Sequence, residues 1–197
     1  MPVSTKTSNE ITLKGSAAII AEFFGYSINN ILYQRGIYPP DEFISKKQYG
    51  LPIFVTTNNE LNTYITNVMS QLQGWIENGK VQQLVLVVTS VQTKETLERW
   101  IFNIQKETVS NGEKVEKPQK EIQSEIQAII RQITSSVTFL PLLEGQCTFD
   151  LLVYTDQDIA IPQTWEESDP KHITNQSVRL LQVHKVETAV AYKNYEE

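Results

Sequence analysis

Cysteine is nearly missing from this sequence: Cys147 is the single one among 197 residues. One thiol cannot close an internal disulfide, so packing must hold the fold, and the usage fits a reducing compartment. Histidine is as scarce, with only His172 and His184. Two histidines and one cysteine do not make a convincing zinc site. Long apolar runs are absent too. The strongest, Leu84 to Val88, falls far short of the roughly 20 residues that a membrane helix needs. The leader MPVSTKTSNE has no apolar stretch of the signal-peptide kind. There is no dense Lys/Arg cluster, and the net charge is −6, whereas phosphate contact needs a basic surface. The expectation is a soluble nuclear or cytoplasmic protein with no nucleic-acid and no membrane partner.

Catalytic signatures are lacking as well. The chain contains no GxxxxGK[ST], HExxH, GxSxG or CxxC. Cys147 opens an apolar strand, where a lone cysteine is usually core, and thiolate chemistry needs an electropositive, accessible setting. Asp156-Gln157-Asp158 has calcium-like carboxylate spacing without the glycine or glutamate that should follow. It reads as a solvated turn. The expectation is no enzyme, no cofactor and no metal.

What is present is the patterning of a folded α+β domain. Hydrophobic residues make up 40% and charged ones 20%, which excludes wholesale disorder. Helical periodicity runs through Ser16 to Arg35, about Asn59 to Asn78, and about Gln119 to Leu140. The second segment places Leu61, Tyr64, Ile65, Val68, Leu72 and Trp75 on one stripe, with Asn58 or Asn59 as cap. QLVLVVTS and TLERWIFNI read as a long antiparallel hairpin, and Thr148 to Thr155 as a further strand. Val178 to Val183 and Val186 to Tyr192 alternate and can pair with each other. Gln105 to Gln119 is charged and reads as an exposed loop. From Asp156 the chain carries prolines, acids and Trp165, as a strap would. Trp165, Ile159 and Ile161 call for burial.

The third helix poses a question. Ile122, Ile126, Ile129, Ile130, Ile133, Val137 and Leu140 form its core stripe. The opposite face is Ser124, Ala128, Arg131, Gln132, Ser135, Thr138 and Phe139, with one charge and a bare aromatic. A solvated face would carry more Lys and Glu. Contact surfaces are composed this way, and cover by another part of the same chain is the alternative.

ITLKGSAAIIAEFFGYSINNILYQRGIYP, LERWIFNI, IIRQITSSVTFLPLLE, FDLLVYTD and WEESDP together resemble the HORMA domains of the spindle assembly checkpoint, from about Ile11 to Tyr192. The resemblance implies one HORMA domain over 1–197, with three helices on an antiparallel sheet, a core at 1–155 and a mobile safety belt at 156–197. In one state of the family the belt covers the sheet edge. In the other it moves, and a short peptide adds beside the strand matching Thr148 to Thr155, locked under the belt. The peptide site then includes Phe149, Leu151, Leu152, Val153 and Tyr154, with Trp75 and Trp165.

Partners implied by the resemblance are the coiled-coil mitotic arrest deficient one protein, the activator of the anaphase-promoting complex with other mitotic checkpoint complex subunits, and a second copy in an open–closed dimer. Residues matching Arg131, Gln132 and Phe139, with Gln34 and Arg35, make the dimer and antagonist interface. Leu13 lies in a conformational latch. The implied location is the nucleus and cytoplasm, with unattached kinetochores in mitosis and the nuclear envelope in interphase. After Val178-Arg179-Leu180 the family pattern has several more residues before His184-Lys185-Val186, so the belt hairpin is shortened here. A HORMA adaptor of DNA repair or meiosis is the other reading, and a small enzyme a third.

Overall fold

The first helix, α1 (Leu13–Gln34), is the element around which the rest is packed. Phe24, Ile28, Ile31 and Leu32 are fully buried along it, with Phe23 at 1% exposure. The computed structural model describes residues 13–104, 118–165, 171–173, 176–183, 186–193 and 195. The expected loop at 105–119 lies outside them up to residue 117, as do the leader and the Leu13 side chain. Gly36, at φ 65°, ends the helix in a left-handed turn.

A hairpin that the sequence reading did not anticipate follows: β1 (Phe43–Gln48) and β2 (Leu51–Thr56). Its turn residues Tyr49 and Gly50 both have positive φ, 51° and 70°, as the turn of a two-residue hairpin requires. The hairpin closes on α1, with Tyr33 and Phe54 stacked at 3.8 Å between ring centroids. Next comes α2 (Asn59–Glu77). The Asn58 side chain caps it by accepting the Leu61 N–H at 3.1 Å, which satisfies one of the orphan donors of the first turn.

Strands β3 (Val81–Ser90) and β4 (Thr96–Ile104) form the expected hairpin. Side-chain alternation divides its residues between two layers. Leu84, Leu86, Val88, Trp100 and Phe102 join the core under the helices, while Val85, Val87, Leu97 and Arg99 are buried on the other face. Helix α3 (Gln119–Ser136) buries its isoleucine stripe to 3% or less. It stops before the expected Leu140, and Val137–Phe139 is a tighter 3-10 turn. The cause is local. Ser135, Ser136 and Thr138 hydroxyls donate to backbone carbonyls three or four residues back, which competes with regular helix and tightens its end.

Three more strands complete the sheet: β5 (Cys147–Thr155), β6 (Gln176–Val183) and β7 (Val186–Lys193). All neighbours are antiparallel, in the order β5-β3-β4-β7-β6. The last two strands pair with each other as expected, down to Val183↔Val186. Strand β7 also lies along β4, from Glu98↔Tyr192 to Ile104↔Val186. The C-terminal hairpin and β5 therefore occupy opposite ends of one sheet.

Candidate peptide edge and docking face

Strand β5 pairs with β3 on one side and has no partner strand on the other among the described residues. Of the two belt positions that the resemblance implies, this is the one that uncovers β5. Phe149, Leu151 and Val153 pack against the core. Leu152 and Tyr154, on the opposite face by alternation, are half-buried, and Tyr154 Oη accepts from Arg99 Nη2 at 3.3 Å.

The chain leaving β5 is pinned along its way. The Asp156 N–H donates to the Lys80 carbonyl at 3.0 Å, and Gln82 donates to the Asp156 carboxylate at 2.9 Å. Lys80 and Asp158 form an ion pair at 2.7 Å, which raises the lysine pKa and lowers that of the carboxylate. Trp165 then meets Trp75 edge to face, 5.0 Å between centroids, so the two tryptophans expected at the peptide site touch each other. Farther on, Lys171 reaches back to Asp150 of β5 at 2.9 Å, and Ile173 is buried. Ile159 packs on the core as expected. Ile161 does not; it is 52% exposed.

Tyr38 and Tyr64 escaped the sequence reading as site residues, although Tyr64 stood on the α2 stripe. Both rings lie on Phe149, at 6.1 and 5.9 Å and about 70° in each case (71° and 72°). Tyr64 is 42% exposed, at the border of its stripe. The signal available was its chemistry, since a tyrosine keeps its ring in apolar company and its hydroxyl near a polar group. Burial, foremost, holds both phenols above their ordinary pKa.

On α3 and the turn after it, Ser124, Ala128, Arg131, Gln132, Ser135 and Thr138 are all exposed. Phe139 is 67% exposed and Leu142, two residues beyond Leu140, 86%. No described part of the chain buries this face. Gln34 is half-buried at the end of α1. Arg35 departs from its expected place on that face, because its side chain is only 4% exposed. It is turned inward onto Glu98, donating from Nε at 2.9 and 3.2 Å and from Nη2. Nη2 also donates to the Pro141 carbonyl at 2.6 Å. Arg35 thus holds the turn that carries Phe139 without itself facing outward.

Burial first, then Glu98, pushes the Cys147 thiol pKa up, the opposite of activation. Among the described residues no three His, Cys, Asp or Glu side chains are grouped to hold a metal, and no helix is long and apolar enough to cross a membrane.

A family model for the HORMA domain matches residues 16–191. The chain is 56% identical to the mitotic spindle assembly checkpoint protein MAD2A of Dictyostelium discoideum over 199 aligned residues, covering 98% of each chain. It is 50% identical to the protein of that name from Homo sapiens, again over 98% of each. In three dimensions it is similar to a chain in the crystal structure of the mitotic checkpoint complex, with a TM-score of 0.83 and 43% identity. That match covers 93% of this chain and 98% of the other.

Proposed function

The chain belongs to the HORMA-domain family, at its spindle assembly checkpoint branch, and we propose that it acts by clasping a short client peptide along β5. The reading is supported above all by the position of the C-terminal hairpin. With the β6–β7 hairpin joined to β4 through β7, the outer edge of β5 has no partner strand among the described residues. A bare edge presents a row of backbone donors and acceptors to which an extended peptide can add as a strand. The ion pair of Lys171 with Asp150 of β5 supports the reading that the segment after β5 acts as the belt over that peptide.

The clients in this reading are the coiled-coil mitotic arrest deficient one protein at unattached kinetochores and the activator of the anaphase-promoting complex. Holding the activator delays anaphase. The exposed face of α3, with Arg131, Gln132 and Phe139, docks a second copy or an antagonist. The protein works as a binding switch, not as an enzyme. Identity of half or more along nearly the whole chain favours this over an adaptor of repair or meiosis.

If a belt closes over the peptide, release must wait for the belt to undo, and such rearrangements are far slower than departure from an open edge. The test is the off-rate of a labelled peptide from the activator's client segment, measured on the full chain and on one ending at Leu181, with circular dichroism checking the fold. Slow release from the full chain and fast release from the shortened one is expected. Equal, fast release from both sinks the clasp.

A further inference from the structure

We propose that Arg99 works against the seat of the C-terminal hairpin: its guanidinium is buried without a counter-charge while β7 lies on β4, and is relieved when the hairpin leaves. The inference deepens the clasp reading and rests on it, because the hairpin's departure is what undoes the belt.

Arg99 is 7% exposed, on the sheet face turned away from the helices. A buried guanidinium is normally matched by a carboxylate, as Arg35 is by Glu98. Arg99 has no such match among the described residues. Its Nε is buried with no hydrogen-bond partner. Its Nη2 donates to Tyr154 Oη at 3.3 Å, a long bond to a neutral acceptor. Asp150 lies in the same cross-strand row, one strand beyond Val87, but Lys171 engages it at 2.9 Å. A buried lysine can shed its proton; an arginine does not. The cost of taking the charge out of water therefore remains.

The register shows what encloses it. Arg99 stands between Val87 of β3 and Ala191 of β7. Val87 is fully buried and Ala191 is 1% exposed, so the arginine has covered neighbours on both sides. Val87 belongs to the body and stays. Ala191 belongs to the hairpin, and its methyl group offers the guanidinium nothing. Once the hairpin leaves, β4 is an edge strand on that side, and a long cationic side chain can carry its head to water. The seated hairpin bears the cost and the released one does not. A charge that penalises only one of two packings narrows the gap between them.

The test is NMR hydrogen exchange at the β7 amides bonded to β4, in the peptide-free full chain. Arg99→Met keeps the apolar stem and removes the charge. These amides should then exchange about tenfold more slowly, the effect of relieving one buried unmet donor. Tyr154→Phe withdraws the acceptor and should speed them in the wild-type chain but not in the Arg99→Met chain. A merely structural arginine gives the opposite sign, since its loss loosens the sheet. Unchanged or faster β7 exchange in Arg99→Met overturns the proposal. Slowing confined to β3 does so too, because it places the cost in the body, and an equal effect of Tyr154→Phe in both chains overturns the link to Tyr154. Equal protection of β7 and β3 in the wild-type chain also overturns it, because the hairpin then leaves only with the whole fold. Slower β7 exchange, with the labelled activator peptide binding neither protein, leaves the role of Arg99 standing and removes the clasp reading instead.

Discussion

Replacing Arg35 by methionine should cost more stability than any exposed substitution, and the buried ion pair says roughly how much. The Glu98 carboxylate is 2% exposed. It accepts from Arg35 Nε and Nη2 and from Trp100 Nε1 at 3.1 Å. Methionine fills most of the arginine's apolar volume but leaves the carboxylate with the indole alone. Breaking a buried pair in this way costs about 3–5 kcal/mol, a large share of the roughly 5–15 kcal/mol that holds a domain folded. The Pro141 carbonyl adds less, because that residue is half-exposed and water can replace the donor.

With a urea slope of about 2 kcal/mol per molar, the unfolding midpoint should fall by roughly 1.5–2.5 M. Adding Glu98→Gln removes the stranded charge and keeps an acceptor for Trp100, so the double variant should recover most of the loss. A midpoint drop below about 0.5 M for Arg35→Met alone would refute the reasoning. Sedimentation then separates stability from position. If Arg35 sets the turn bearing Phe139 through Pro141, the rescued double variant should still dock weakly with a second copy.

Three further outcomes follow from the same contacts. Phe139→Ala and Arg131→Ala should each weaken self-docking by about 2 kcal/mol or more while sparing peptide binding, because truncating an aromatic or arginine anchor costs about that much; sedimentation of each variant checks it. Trp165→Ala removes the partner of Trp75 and should speed peptide release about thirtyfold, from a loss of roughly 2 kcal/mol at a half-buried ring; a release rate within about threefold of wild type would clear Trp165 of a belt role. The Lys80 ammonium holds the Asp158 pKa below its ordinary value, so that pair's stabilisation of the belt is fully present above about pH 4 and lost as pH falls through the depressed value. Peptide release should accelerate only in that acid range, and Asp158→Asn should flatten the profile there.

The helices were legible because each repeats its apolar residues at helical spacing over many turns, and the Asn58 cap because its side chain stands at the first turn. The β1–β2 hairpin was hidden by chemistry that argues against a strand. Lys46 and Lys47 interrupt the alternation and Pro52 lacks a donor, yet Lys47 sits opposite Pro52 at the exposed end of the ladder, where a missing N–H does no harm. Arg35 was unreadable for a different reason. A cation at the end of a helix normally points to water, and what turns this one inward is Glu98, 63 residues away. The Phe139 face stood out because it is defined by scarcity of charge on one side of one helix, a property of local sequence, and the structure leaves it exposed.

Where the belt sits could not be read from pattern, and the reason lies in how strands choose partners. Alternation at Val178 to Val183 and Val186 to Tyr192 fixes that the two strands pair, and two intervening residues lock their register from Gln176↔Lys193 to Val183↔Val186. It does not fix which edge receives them, because backbone ladders are blind to sequence and this sheet has two ends. Side chains decide. On β4, Val190 is fully buried beneath the helices with Tyr192 beside it, and Ala191 is 1% exposed on the other face opposite Arg99. Lys193 adds an ion pair with Glu95, but at an exposed site such a pair stabilises little. Among the side chains that the structure describes, these apolar contacts supply the preference for this edge, while the β6–β7 ladder does not depend on it. A hairpin that is paired within itself can leave as a unit, which is a physical requirement for two packings of one sequence to lie close in free energy.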